Sequence, residues 1–241
     1  MKNNKLNIII IIVCAVLVVG LCTFLIINHK LNEPTDSEKF KKEFENYNSY
    51  VNPNTNEEFL TVNINADNPI IYKTDKEIMD ILKNENALIL FGYPSSITNR
   101  SVIETLLDAA SDAKIDEIYY VDISDIIDMY EYTSKNTVTR SKEGSETFKE
   151  IVDFLDNYIE NLYLLDLDGN LFDTGYKTLK ASTFVAVSKG EVVGFHEGAI
   201  AKGETKELTT NEKEELKSIY LEIMNNWIQK TSVCTSSSTA C

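Results

Sequence analysis

The chain has 241 residues, 43% of them hydrophobic and 25% charged, the balance of a globular protein with room for a sizeable core. Its formal net charge is -15, and because residues 1–30 carry Lys2, Lys5 and Lys30 and no acid, the remainder is more acidic still. Such a surface repels phosphate backbones, so no nucleic acid is expected as a partner. The cysteines lie only near the ends, Cys14 and Cys22 at one and Cys234 and Cys241 at the other. That leaves the middle without a disulfide framework or a cysteine zinc site. With His29 and His196 the only histidines, no metal and no cofactor is expected.

The first element is the apolar run from Leu6 to Ile27. A helix needs about 20 apolar residues to cross a bilayer core, whereas a cleaved signal has an apolar stretch of about 7–15. Length therefore favours an uncleaved anchor over residues 1–30, and no small-residue cleavage pattern follows it. A lipoprotein signal needs a small residue before its cysteine; Leu21 and Val13 stand there instead. Lys2 and Lys5 on one flank predict a cytoplasmic N-terminus, with the rest of the chain outside the cell membrane as a single-pass protein.

Residues 31–58 read as a polar stalk with one short helix after Ser37, where Phe40, Phe44 and Tyr47 recur at helical spacing. From residue 59 to 230 strand and helix signals alternate. Leu60–Ile64 and Ile70–Tyr72 are short strand candidates. Thr74 opens a helix bearing Ile78, Ile81 and Leu82 on one face. Ala87–Phe91 is a continuous apolar run, expected for a strand buried on both faces. Ser101–Lys114 has the 3.6-residue period, and Ile118–Ile123 reads as a second buried strand. Two helices are expected near Asp125–Tyr132 and Glu146–Ile159, joined by a polar stretch, with Tyr130 and Tyr132 as helix-face aromatics. Asp168-Gly169 signals a hairpin within Tyr163–Thr174, and Lys189-Gly190 a second one between Thr183–Val187 and Glu191–Phe195. A last helix runs from Thr210 to Lys230, with Thr209 and Glu212 placed for a capping box. Residues 231–241 read as a flexible cysteine-containing tail. The order predicts an α/β fold: a mixed sheet, parallel where helices connect the strands, with helices on both sides.

Some local patterns have plain explanations. Ser95 and Ser96 precede a helix and are expected to cap it. Asp166, Asp168 and Asp173 lack the order and terminal glutamate of a calcium loop and fit a turn better. Asn99-Arg100-Ser101 matches a glycosylation sequon at a helix start. His196 reads as a strand residue.

Two segments carry a resemblance. The run Phe91-Gly92-Tyr93-Pro94-Ser95-Ser96-Ile97-Thr98-Asn99-Arg100 is similar to the strand-to-helix turn of bacterial thioredoxin-like proteins, F-G-(F/Y)-P-x-C-P-W-C-R. Ala181-Ser182-Thr183-Phe184 resembles the family's x-P-T-(F/L), and from Ser182 to Gly198 the match needs no gap, with Lys189, Gly190, Val192 and Gly194 in register. The resemblance covers about residues 60–230, with an insertion at about 125–180. It implies a thioredoxin-like sheet and a groove near Tyr93, Pro94, Ala181, Ser182 and Thr183.

The departures from the family bear on activity. Ser96 and Asn99 occupy the positions of the two cysteines, Ser182 that of a cis proline, and Leu90 that of a buried acid. A hydroxyl without an adjacent base does not replace an ionised thiol, and Asn99 cannot resolve a mixed disulfide. A non-proline cis peptide costs about 2.5–4 kcal/mol, so Ser182 removes the easy cis bond. No catalytic residue is expected, and the leading expectation is a redox-inactive module that binds a protein or peptide. Two alternatives stand beside it: disulfide exchange through Cys234 and Cys241, which could also simply pair across a flexible tail, and an accessory role in export or bacteriocin-type peptide maturation.

Overall fold

The computed structural model describes residues 19–21, 33–53, 56–133, 137–200 and 207–236. The chain divides into two compact units, Met1–Thr35 and Asp36–Cys241. Of the expected anchor only residues 19–21 are described, as helix, so that expectation falls outside the described residues. No helix among the described residues is long and apolar enough to cross a membrane.

The second unit is built on a mixed sheet. Its strands are β1 (Ile70–Tyr72), β2 (Asn86–Gly92), β3 (Ile118–Asp122), β8 (Thr183–Ser188) and β9 (Glu191–Glu197), in the spatial order β1-β3-β2-β8-β9. β1 and β2 both pair with β3 in parallel, while β2–β8 and β8–β9 are antiparallel. Between β3 and β8 lie two separate hairpins, β4 (Met129–Thr133) with β5 (Thr137–Lys142) and β6 (Asn161–Leu165) with β7 (Leu171–Lys177). The helices are α1 (Asp36–Asn46), α2 (Asp75–Asn84), α3 (Ile97–Ala113), α4 (Glu146–Phe154) and α5 (Thr210–Ser236).

Strand alternation divides the core in two. Leu88 and Leu90 of β2 join Phe184, Ala186 and the apolar faces of α1, α3 and α5. Ala87, Ile89 and Phe91 point the other way, toward Val185, Val187, α2 and α4. The expected α/β sheet with helices on both faces is therefore present. Both described clusters lie within Asp36–Cys241, so this unit carries its own core. The caps follow the sequence: Thr74 and Glu77 form a capping box at α2, and Thr209 and Glu212 exchange the same bonds at α5.

Helix α1, expected in a stalk, contributes to the core of this unit. Phe40 and Phe44 are fully buried, and the Phe40 ring meets Tyr120 edge-on at 4.9 Å. Each buries an aromatic side chain, worth about 1.5–3 kcal/mol.

Two expectations fail for identifiable reasons. Leu60–Ile64 is extended, with Val62 and Ile64 buried in alternation, but it is not a strand. Its polar groups are met by side chains instead of a neighbouring strand. Asn48 accepts from Val62 N and donates to Val62 O, Glu45 accepts from Ile64 N, and Lys41 donates to Ile64 O. The helix expected near Asp125–Tyr132 is a turn followed by β4. Ile126 N and Ile127 N both bond back to Ile123 O, and the chain then extends to pair with Thr137–Lys142 across the stretch that had read as polar linker. Alternating Tyr130 and Tyr132, opposite Arg140 and β-branched Val138, suit a pleated surface better than a helix. The two tyrosines lie on a strand face: Tyr130 stacks on Tyr176 at 4.6 Å and Tyr132 meets Phe172 edge-on.

Candidate functional site

The candidate site forms where β2 ends, α3 begins and the loop before β8 crosses between them. β2 stops at Gly92, and Ser96 N returns to Tyr93 O at 3.1 Å to close the Tyr93–Ser96 turn. Ser96 is the N-cap of α3: its hydroxyl oxygen accepts from Asn99 N at 3.2 Å. The helix thus starts at Ile97, four residues before Ser101, because the serine cap sets its first turn.

Asn99 is fully buried, and its Nδ2 donates to Tyr93 O at 3.3 Å. The side chain lies against Gly92, where an added Cβ would come within 2.3 Å of Nδ2. Glycine at 92 is therefore required by space, and Asn99 ties the end of the strand to the start of the helix. With its amide enclosed, the sequon at Asn99 is closed to glycosylation.

Arg100 is also buried, and no carboxylate among the described residues meets it. Nε donates to Leu60 O at 2.7 Å, Nη1 to Phe44 O and Pro94 O, and Nη2 to the Asn48 amide oxygen. Burial lowers its pKa to about 10. One side chain thereby holds α1, the extended 59–64 segment and the Tyr93-Pro94 turn together. Arg100 closes the segment that carries the resemblance, but its carbonyl partners are scattered along the chain and no local pattern reveals them.

Across from this turn, Ser182 departs from the expected proline in backbone as well as in side chain. No peptide bond among the described residues is cis, and Ser182 has a φ of +76°. Its N–H donates to Phe91 O at 2.8 Å, a bond proline cannot make, and its carbonyl accepts from Gly198 N at 3.2 Å. Thr183 is held on both sides, opposite Phe91 in β2 and Glu197 in β9. Glu197 also ties the loop, accepting from Lys180 N and pairing with its ammonium at 2.6 Å. The backbone groups of Ser182 and Thr183 are thus used internally. Ala181 is half-buried, and among the described residues no hydrogen bond involves it.

Of the residues expected to line a groove, Tyr93 is half-buried, Pro94 buried, and Ser182 and Thr183 fully buried. Burial raises the Tyr93 hydroxyl pKa, with the Asp122 charge adding to it. Beneath Ser182 sits Tyr220 of α5, whose hydroxyl burial pushes well above its ordinary range. The Ser182 hydroxyl faces it and tempers that shift. The His196 ring meets Tyr220 edge-on at 5.5 Å, and burial lowers the imidazole pKa. Among the described residues Asn99 Oδ1, Ser182 Oγ, His196 Nε2 and Tyr220 OH are buried with no hydrogen bond.

Leu90 is buried in the apolar core. No group of three or more histidine, cysteine, aspartate or glutamate side chains among the described residues could hold a metal. Cys241 and the side chain of Cys234 lie outside the described residues. The chain matches no family model, no curated protein and no solved structure.

Proposed function

We propose that this chain is a thioredoxin-like protein without the dithiol reaction, tethered at the outer face of the cell membrane by residues 6–27, whose β2–α3 turn and Ala181–Thr183 loop bind a protein or peptide. The strand order β1-β3-β2-β8-β9, with its parallel-then-antiparallel pairing, supports the thioredoxin-like reading. The observation that carries the absence of redox chemistry is the use already made of Ser96 and Asn99. The Ser96 oxygen caps α3 and Asn99 is enclosed against Gly92, so neither presents a reactive group to a substrate. Ala181, half-buried with its polar groups outside every described hydrogen bond, is the position from which an extended chain would be held.

The test pairs two measurements on the Asp36–Cys241 unit. Insulin disulfide reduction in dithiothreitol is expected to stay at background. A photo-crosslinking residue at Ala181 is expected to capture a peptide from a random extended library, and the same residue at exposed Asp125 is not. Turnover that disappears in a Cys234→Ser, Cys241→Ser double variant would replace this reading with exchange through the tail. Equal crosslinking from both positions would remove the groove.

A further inference from the structure

The β6–β7 hairpin has one face covered and one bare. On the covered face Phe172 meets Tyr132, and Tyr176 stacks on Tyr130. On the other, Leu165 and Leu171 lie directly across from each other, 63% and 71% exposed, with Tyr163 further along at 46%. Leu167 in the turn is 77% exposed. Single exposed leucines are ordinary, but three together on one hairpin form an apolar patch that no described residue covers. The turn is well built: Asp166 accepts from Asp168 N and Asn170 N, so the leucines are presented on fixed backbone.

The charge along residues 156–177 is predominantly of one sign. Asp166, Asp168 and Asp173 lie within the hairpin, with Asp156 and Glu160 just before it. The single basic residue of 156–177, Lys177, is paired with Asp156 at 2.9 Å. An acidic rim disfavours an anionic lipid surface, which would be repelled, and a second copy of this acidic chain, which would set carboxylates against carboxylates. It favours an apolar segment flanked by lysine or arginine.

We infer that the Leu165–Leu167–Leu171 face is a docking surface for a protein partner that presents an amphipathic segment with a basic rim. The surface is built from residues other than those of the Ala181–Thr183 loop. Apolar contact supplies the affinity, and the aspartates select the sign of the partner and speed its arrival.

The experiment uses the Asp36–Cys241 unit and two labelled amphipathic helical peptides, one of leucine and lysine and its twin with every lysine replaced by glutamate. Fluorescence anisotropy is expected to show binding of the lysine peptide, weakened about tenfold or more in the twin. A Leu165→Asn, Leu171→Asn variant, altered only at exposed positions, is expected to keep the wild-type thermal melt and to lose binding by about the same factor. Equal affinity for the two peptides, or full binding by the double variant, overturns the inference. So does leucine-dependent binding to phosphatidylcholine vesicles, or leucine-dependent dimerisation in sedimentation, with neither peptide bound.

Discussion

The Arg100 guanidinium donates to the carbonyl of Phe44, 56 positions earlier in the chain, at 2.7 Å. Through that bond the first helix of the compact unit is fastened to the turn that begins α3. Four described bonds to carbonyl and amide oxygens answer this buried cation, and each buried group left without a partner costs about 1–3 kcal/mol.

Arg100→Ala is therefore expected to destabilise the Asp36–Cys241 unit by about 3 kcal/mol or more, since it leaves several buried carbonyls unmet. Arg100→Lys should recover only part of this, because an ammonium cannot reproduce the planar fork. Urea unfolding of the three proteins checks it; Lys equal to Arg would show that charge, not geometry, holds the segments.

Ser182 makes a second prediction. A non-glycine residue at positive φ carries roughly 1 kcal/mol of strain, so Ser182→Gly is expected to be neutral or slightly stabilising. Ser182→Pro removes the N–H bond to Phe91 O and imposes a negative φ, and is expected to cost about 3 kcal/mol. Denaturation midpoints compare the variants. A proline variant as stable as the parent would mean that the loop readily adopts a different path.

His196 predicts a pH dependence. Its pKa in the folded chain is lowered, chiefly by burial. The unfolded chain takes up a proton below about pH 6.5 while the folded chain resists it, so the stability contribution is full above that pH and is lost as pH falls toward the folded value. Unfolding free energies from pH 7.5 down to about 5 should fall more steeply for the wild type than for His196→Gln. Parallel curves would show that protonation there is not coupled to folding.

Phe44→Ala tests the place of α1. A fully buried phenylalanine truncated to alanine costs about 3–5 kcal/mol, whereas the same change on an exposed stalk helix costs almost nothing. Thermal melts of the Asp36–Cys241 unit distinguish the two.

Legibility followed the range of the interactions. Helix α2 declares itself locally through its capping box and apolar face, and β2 through an apolar run long enough to be buried on both sides. The turns at Asp168-Gly169 and Lys189-Gly190 carry their own backbone chemistry. The segment 60–64 has the alternation of a strand, but strand identity depends on a partner, and here Asn48, Glu45 and Lys41 take that part from another element. Met129–Thr133 was hidden for the opposite reason: its partner follows immediately, in residues polar enough to resemble a linker. At the site, the serine cap could be read from its type and position. The enclosure of Asn99 by Gly92 and the trans, positive-φ state of Ser182 could not, because both arise from segments that meet only after the sheet has formed.

Side chains standing in for a strand also govern the outer margin of the sheet. At β1 the Tyr72 N–H donates to Asp36 and the Ile70 N–H to Asn68, while Asn48, Glu45 and Lys41 occupy the extended segment that precedes it. Donors that would template another chain are already engaged, by groups too short and too charged to propagate a ladder. This flank of the molecule is sealed against edge-to-edge aggregation.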